Sequence, residues 1–344
     1  MAKTRPIIKC IDFFCGAGGL TRGLLDAGIE VLAGVDNDDR LKSTYEKNNA
    51  PSGFVDEDIA TLDIKKLRRR FGIRKSDLVL YAACTPCQPF SSLNQRRGAD
   101  ERKDLLRSFG RIVAEAPPDL LLVENVPGLG NAYGRDLYHE FLRVLRDCGF
   151  LYDARKLDAQ DYGVPQVRKR FLLVGSRRGR ISLPKGADGS PRTVRDAIGR
   201  LAAPGSDDAP PNHVFREPKP HHLAIIRAVP HDGGSRRDVP DTSLLLKCHQ
   251  RNPNVHKDVF GRMAWDAPAP TMTCRCTDVY CGRFTHPEQD RGLTLREAAA
   301  LQTFRDDYEF DGTFFHVAAQ IGNAVPVRLA QRLGETFVEI AQAH

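Results

Sequence analysis

The chain has 344 residues, a formal net charge of +7, and 28% charged residues. This length can bury a large core, in one large domain or in a large domain with a smaller one. The sequence lacks the roughly 18 consecutive apolar residues of a membrane-spanning helix. It also lacks an N-terminal apolar segment with a small-residue cleavage site, so we expect no signal peptide and a cytoplasmic location. The positive charge permits a polyanionic partner, although an ordinary basic enzyme could carry the same charge.

The nine cysteines are odd in number and scattered through the chain. They lack the spacing of a disulfide-stabilised secreted domain, which favours reduced thiols in a reducing compartment. Cys248, Cys274, Cys276 and Cys281 occupy one region, but Cys-x-Cys is not the usual Cys-x-x-Cys of a zinc knuckle. We therefore expect no metal site.

The first predicted element is a strand over residues 7–14, followed by a glycine-rich turn and a helix. The turn contains Gly16, Gly18 and Gly19, and Gly28 suits the position just after the helix. Such a turn lets the backbone approach a ligand, and the helix N-terminus offers free N–H groups. Glycines also serve tight turns for geometry alone, so this motif is weak evidence by itself.

The second predicted strand, residues 30–35, leads to Asp36. An acid at this place can bind the ribose hydroxyls of a cofactor. It could instead cap the helix predicted over residues 38–48, but Asn37 and Asp38 can also do so. This arrangement predicts a cofactor that contains adenosine.

Two further apolar strands are followed by chemically active side chains. Residues 78–83 lead into Cys84-Thr85-Pro86-Cys87, and residues 120–123 lead to Glu124. The two cysteines could form a redox pair, or one of them could be a nucleophile. Because ligands bind at the carboxyl ends of parallel strands, we expect these side chains to converge with the acid after the second strand.

The alternation of strands and helices through residue 175 predicts a doubly wound α/β sheet. From residue 179 to 290 the chain is rich in Pro, Gly, His and Arg, which predicts a smaller, irregular domain with donors for phosphates and base edges. A capping box over residues 294–297 opens a helix, and residues 320–326 are predicted to form a turn. The helix after Pro326 is expected to pack back on the first domain.

Six segments resemble the bacterial-type DNA cytosine-5 methyltransferases, in that family's order and over nearly the whole chain. They are residues 12–19 (DFFCGAGG), 86–91 (PCQPFS), 124–126 (ENV), 166–170 (QVRKR), 296–304 (REAAALQTF) and 322–326 (GNAVP). The resemblance implies a Rossmann-like, S-adenosylmethionine-dependent catalytic domain over residues 1–180. It further implies a target-recognition domain over residues 181–290, and a hinge with C-terminal helices returning to the catalytic domain over residues 291–344.

The resemblance also implies the roles of individual residues. Cys87 would attack C6 of a cytosine flipped out of the duplex, and Glu124 would hydrogen-bond the base at N3 and N4. Arg168 and Arg170 would hold the base and its attacked face. The residues expected to hold S-adenosylmethionine are Phe14, Gly16, Gly18, Gly19, Asp36, Asn37, Asp58, Ile59, Pro86, Leu105, Asn323 and Ala324.

The chemistry of cytosine agrees with these roles. C5 is a poor nucleophile, and addition of a thiolate at C6 turns C4–C5–C6 into an enamine that can accept a methyl group. A base inside a duplex cannot be reached, so it must be flipped out. The expected partner is double-stranded DNA, with a restriction endonuclease of the same target as a further candidate. We expect a monomer without membrane contact, associated with the nucleoid when bound to DNA.

Three alternatives stay open. One is a tRNA cytosine-5 methyltransferase of the same architecture, for which the basic, irregular insert is larger than needed. Another is a DNA-binding relative without activity, which the presence of Cys87 and Glu124 disfavours. A thiol redox protein would use Cys84 and Cys87, but Pro89 disfavours a helix beginning there. On the favoured interpretation Cys84 is a small buried side chain that ends its strand, and the loop after residue 91 closes over the base as a lid.

Overall fold

The computed structural model describes residues 6–85, 104–130, 135–186 and 189–343. Pro86, Cys87 and the predicted lid lie outside these ranges. The chain divides into two compact units. The first comprises Met1–Asp158, Lys169–Gly186 and Val327–His344, and the second comprises Ala159–Arg168 and Ala187–Pro326.

The first unit is built on a mixed sheet, which confirms the predicted α/β class. Within the described ranges the strands are β1 (Ile8–Phe13), β2 (Glu30–Asp36), β3 (Gly53–Asp56), β4 (Leu78–Cys84), β5 (Leu120–Asn125), β6 (Leu151–Asp158) and β7 (Lys169–Ser176). Their spatial order is β3-β2-β1-β4-β5-β7-β6. β1 to β5 are parallel, and β7 is antiparallel to both of its neighbours. The carboxyl ends of β1 to β5 therefore share one edge with the amino end of β7.

The α-helices of the described ranges include the helix predicted after the glycine-rich turn. They are α1 (Gly19–Asp26), α2 (Lys42–Asn49), α3 (Ile64–Arg70), α4 (Asp104–Glu115), α5 (Arg135–Asp147), α6 (Val194–Ile198), α7 (Pro220–Ala228), α8 (Lys247–Arg251), α9 (Leu295–Leu301), α10 (Phe314–Asn323) and α11 (Val327–Ala343). Gly28 follows α1 with φ of 87°, as a glycine after a helix end should.

Alternation along the strands separates the two faces of the sheet. Tyr81 of β4 and Leu121 of β5 join the helices α3, α4 and α5 in the main apolar core. Cys84 and Glu124, an odd number of residues further along the same strands, therefore belong to the other face. Thr21 donates a hydrogen bond to Asp12 of β1, which places α1 over this second face.

Helix α11 packs against α1 in the first unit, as expected for the C-terminal tail. A Cβ built on Gly23 would lie 2.4 Å from the Cβ of Ala330, so this close approach requires glycine. The rest of the segment that was expected to return, up to Pro326, belongs to the second unit.

The second unit has little regular structure between residues 189 and 290, as its composition predicts. Its apolar core includes Ile225, Ile226 and Phe260. The fully buried Arg262 donates to Asp290 and to the carbonyls of Ile226, Val229, His286 and Gln289. One arginine therefore satisfies carbonyls at the end of α7 and in the loop over residues 286–289.

The end of the second unit is more helical than predicted. The capping box at α9 is present, with Thr294 and Glu297 each accepting from the other's backbone N–H. The turn predicted over residues 320–326 is wrong in its first half, because α10 continues through Asn323. Gln320, inside that helix, donates to the carbonyl of Asp311, which ties the helix to the preceding loop.

Candidate active site

The carboxyl end of β5 carries Glu124, a carboxylate that is only 2% exposed. The sheet register brings two side chains to it. Cys84 pairs with Glu124 across the parallel β4–β5 ladder, and Glu124 pairs with Leu172 across the antiparallel β5–β7 ladder. Arg170 precedes Leu172 by two residues and so lies on the same face.

Both oxygens of this carboxylate are held. Arg170 Nε lies 2.8 Å from Oε1 of Glu124, and the Cys84 thiol donates to Oε2 with a sulfur–oxygen distance of 3.0 Å. Cys84 ends β4 as predicted, but the prediction that it is buried is wrong, because it is half-buried and contacts the predicted catalytic acid. A carboxyl group fixed in this way can present a defined edge to a base that has an acceptor nitrogen beside an amino group.

A second bridge joins the ends of the same two strands. Asn125 Nδ2 donates to Thr85 Oγ1 at 2.6 Å, and the Val126 N–H donates to Asn125 Oδ1 at 2.8 Å. Thr85 and Asn125 are both buried. This bridge fixes the chain where it leaves β4, directly before the segment predicted to hold the nucleophile. Sequence reasoning did not assign a role to either residue, although both follow apolar strands beside predicted catalytic residues.

The turn after β1 has the backbone geometry of a ligand-binding loop. Gly16 and Gly18 have φ of 54° and 87°, in the left-handed region that favours glycine. Phe14 adopts φ of 58° without being glycine, and such strain concentrates at functional sites. A Cβ built on Gly16 would meet no protein atom within 4 Å, so the space beside the turn is open. The N-cap of α1 is Gly18, which has no side chain to bind the first N–H groups of the helix.

Asp36 lies at the tip of β2 beside this turn. Its Oδ2 accepts from the Gly16 N–H at 3.0 Å, and its Oδ1 accepts from the Asp38 N–H at 3.2 Å. Asp38 caps the following short 3-10 helix, accepting from the Arg40 N–H, so Asp36 is not needed as that cap. Binding of ribose by Asp36 stays a prediction. The α-helix predicted from residue 38 begins only at Lys42. Burial raises the pKa of Asp36, and the two N–H donors oppose that shift.

The remaining predicted cofactor residues are divided between the units. In the first unit Ile59 is buried, Asp58 and Asn37 are exposed, and Leu105 is half-buried at the start of α4. Asp58 accepts from the Ala60 N–H at 2.8 Å. Asn323 and Ala324 belong to the second unit, where Asn323 is exposed and Ala324 is buried.

Arg168 belongs to the second unit and is buried, with partners that the sequence did not indicate. Its guanidinium donates to the carbonyls of Met272, Gly322 and Ala324, at 2.9, 3.3 and 3.0 Å. Gln166 donates to the side chain of Gln302 at 2.9 Å, and Gln302 donates to the carbonyl of Ile321 at 2.7 Å. Buried hydrogen bonds therefore connect three of the six family-like segments, residues 166–170, 296–304 and 322–326. A contact of Arg168 with a base stays a prediction.

A buried acid lies in β1, just before the glycine-rich turn. The Thr21 hydroxyl donates to Asp12 at 2.7 Å, and a chain of hydroxyl contacts continues through Tyr45 to Ser52. Burial raises the pKa of Asp12 to about 7, the Thr21 hydrogen bond opposes this shift, and the charge of Asp36 adds to it. Asp12 belongs to the family-like segment over residues 12–19, but the sequence did not predict that its pKa would be raised.

Within the described ranges, no group of three or more His, Cys, Asp or Glu side chains could hold a metal ion. Cys276 is buried, which raises the pKa of its thiol to about 12, while Cys274 and Cys281 are exposed. None of the helices in these ranges has the length and hydrophobicity of a membrane-spanning segment.

Sequence comparisons agree with one another. The family described as C-5 cytosine-specific DNA methylase matches residues 8–339. Over 338 residues the chain is 37% identical to the Type II methylase M.HgiDII of Herpetosiphon aurantiacus, covering 95% of this chain and 94% of that protein. It is 31% identical over 361 residues to the Type II methyltransferase M.XorII of Xanthomonas oryzae pv. oryzae, and this alignment covers 96% of this chain and 84% of that protein.

Solved structures share the fold. A candidate DNA modification methyltransferase encoded within an E. coli prophage superposes with a TM-score of 0.71 at 24% identity, covering 97% of this chain and 99% of that one. The Dnmt2 methyltransferase of S. pombe superposes with a TM-score of 0.66 at 18% identity, with the same coverage.

Proposed function

Because this chain belongs to the C-5 cytosine-specific DNA methylase family and is a DNA (cytosine-5-)-methyltransferase, we propose a mechanism in which Cys87 and Glu124 act together on the target base. The observation that carries this proposal is the carboxylate of Glu124 at the end of β5, held by Arg170 on one neighbouring strand and Cys84 on the other. The acid is thereby fixed beside the strand end that leads to residue 87.

Glu124 binds the Watson–Crick edge of a flipped cytosine. In this step Glu124 acts in its protonated form, in which the O–H of one carboxyl oxygen donates to N3 and the other oxygen accepts from the N4 amino group. Protonation toward N3 draws electron density from the ring, so that C6 becomes electrophilic. Arg170 and Cys84 keep the carboxyl group in place while this happens.

Cys87 is the nucleophile in this mechanism, a role that rests on its place in the recognised segment. Its thiolate forms a bond to C6, and the C5–C6 electrons become an enamine that takes the methyl group at C5. A base then removes the C5 proton, the double bond re-forms, and Cys87 leaves as the thiolate. Base flipping costs a few kcal/mol, roughly the energy of unstacking and unpairing one base.

S-adenosylmethionine is the proposed methyl donor, and it supplies an electrophilic methyl group on a sulfonium. The open space beside Gly16, the α1 N-terminus without a side-chain cap, and the acid at the tip of β2 fit such a molecule. We assign Asp36 to its ribose hydroxyls. The other residues that we assign to its pocket are Phe14, Gly18, Gly19, Asn37, Asp58, Ile59, Pro86, Leu105, Asn323 and Ala324.

The remaining assignments concern the DNA. We assign target recognition to the irregular part of the second unit, where exposed side chains such as Lys247, Arg251 and Lys257 suit phosphates and base edges. The redox alternative loses support, because the Cys84 thiol is directed at Glu124. We also propose that the enzyme acts as a monomer and shares its target with a restriction endonuclease, in keeping with the Type II names of its relatives.

A trapping experiment tests the mechanism. The target site is first found by bisulfite sequencing of DNA methylated with the purified protein. A duplex with 5-fluorocytosine at that site should then form a stable covalent complex, because fluorine cannot leave C5 as a proton does. Cys87→Ser should abolish methyl transfer and trapping while S-adenosylmethionine affinity stays within about twofold. Cys148→Ser, a partly exposed cysteine outside the segments, serves as the control. Methyl transfer by Cys87→Ser at the wild-type rate would refute the mechanism.

A further inference from the structure

Cys84 contacts Glu124, the proposed catalytic acid, and can orient its carboxyl group without itself contacting the cytosine. Its sulfur lies 3.0 Å from Oε2 of Glu124, and the two residues are direct partners in the β4–β5 ladder. Parallel partners on one face of a sheet stay close whatever the side-chain conformation. The register therefore brings the thiol within reach of the carboxyl group without any change of the backbone.

The carboxyl group of a glutamate needs two anchors to hold a fixed plane. The terminal torsion of Glu is broad and roughly two-fold, so a single hydrogen bond leaves the group free to pivot about the bonded oxygen. Arg170 on β7 holds Oε1, and Cys84 on β4 holds Oε2. The anchors come from the two strands that flank β5, so the plane of the carboxyl group is set by the sheet.

We propose that Cys84 is a positioning residue for methyl transfer, whose thiol fixes the plane in which Glu124 meets the cytosine edge. This inference rests on the proposed role of Glu124. Cys84 then affects the rate of the chemical step, because the hydrogen bonds to N3 and N4 strengthen as C6 is attacked. Binding of S-adenosylmethionine does not involve this carboxyl group, and binding of DNA is little affected because phosphate contacts elsewhere supply most of the affinity for a duplex.

Three substitutions separate hydrogen bonding from packing. Cys84→Ala removes the donor, Cys84→Val fills the space without a donor, and Cys84→Ser keeps a donor. We expect kcat to fall about tenfold in the alanine and valine variants, the loss associated with one hydrogen bond to a charged group. KM for DNA and for S-adenosylmethionine should stay within about twofold, and the serine variant should recover kcat to within about threefold of wild type. Cys148→Ala, another partly exposed thiol of the first unit, should match wild type.

A double-mutant cycle with Glu124→Gln distinguishes the role of Glu124 from the role of Cys84. If Glu124 acts as proposed, Glu124→Gln is severely impaired, and adding Cys84→Ala to it lowers kcat no further. Wild-type kcat in Glu124→Gln would overturn the mechanism and this inference with it. If Glu124→Gln is impaired while Cys84→Ala is fully active, the proposed role of Cys84 is wrong although the mechanism stands. The same conclusion follows if Cys84→Ser is as slow as Cys84→Ala. Thermal unfolding of each variant confirms that the compared proteins are folded.

Discussion

The guanidinium of Arg170 lies 2.8 Å from the carboxylate of Glu124, in an ion pair whose side chains are 15% and 3% exposed. Ion pairs at the surface contribute little, but a buried charge that loses its partner is strongly destabilised. The antiparallel direction of β7 makes this pair possible, because only that direction sets the first residues of β7 beside the end of β5.

Arg170→Ala is therefore expected to lower kcat by about 100-fold or more, the scale seen when one preorganised donor is removed from an active site. Arg170→Lys keeps the charge but not the planar guanidinium, so its kcat should lie between those of wild type and Arg170→Ala. Steady-state methyl transfer to a saturating duplex measures both. Arg178→Ala breaks an exposed pair with Asp119 in the same unit and should leave kcat within about twofold. Equal activity of Arg170→Ala and Arg178→Ala would contradict the assignment.

The edge of the sheet could be predicted from local patterns, but its side-chain contacts could not. Asp36 and Glu124 each end an apolar run, and this is enough to predict that they lie at strand ends. The contacts of Glu124 with Cys84 and Arg170 depend on strand register and on the direction of β7. An apolar run looks the same in either direction, so no local pattern carries that information.

Some residues of the six family-like segments have structural contacts that the sequence did not predict. Arg168 was predicted to hold the target base, and its guanidinium donates to the carbonyls of Gly322 and Ala324. Every residue has a backbone carbonyl, so the sequence does not indicate which carbonyls a side chain will bind. The positive φ of Phe14 is equally hidden, because the pattern of a turn predicts that conformation for glycine.

The pKa of Asp12 predicts an unusual dependence of stability on pH. Burial raises that pKa from 3.8 to about 7, so between these values the folded protein keeps a proton that the unfolded chain has released. The free energy of unfolding should therefore fall as pH rises from about 4 to about 7, by an amount of the order of 4 kcal/mol from this group. Asp12→Asn should flatten this slope and be the more stable protein at pH 8, as measured by urea unfolding.

Asp63→Asn is the matched control for that experiment. Asp63 caps α3 at the surface, and the hydrogen bond from the Lys66 N–H lowers the pKa of its carboxyl group. Its contribution to stability is present above the ordinary pKa of Asp and is lost as pH falls, which is the opposite sign. The same slope in Asp12→Asn as in wild type would show that Asp12 stays ionised in the folded protein.

Gly322→Ala should destabilise the second unit through a backbone clash. A Cβ at this position would lie 1.9 Å from the carbonyl oxygen of Thr273, and the Gly322 carbonyl is also bound by Arg168. Overpacking of this kind costs about 1–3 kcal/mol or more, because backbone has to move. Gly110→Ala in α4 is the control, since its Cβ would have an ordinary 3.5 Å contact with Phe141 and should stabilise the helix by about 0.5–1 kcal/mol. Urea unfolding at equilibrium measures both, and equal stability of Gly322→Ala and wild type would refute the clash.

Asp36→Asn should weaken S-adenosylmethionine binding and leave the chemical step almost unchanged. The amide has one acceptor oxygen, whereas the carboxylate accepts from Gly16 and Asp38 and still has lone pairs for ribose hydroxyls. Loss of one or two hydrogen bonds to a charged group predicts a Kd about 10–100-fold higher, with kcat at saturating cofactor within about threefold. Titration calorimetry with S-adenosylmethionine measures the affinity. Asp38→Asn retains a competent cap for the short helix after β2 and should bind normally, and wild-type affinity in Asp36→Asn would show that the cofactor does not use this acid.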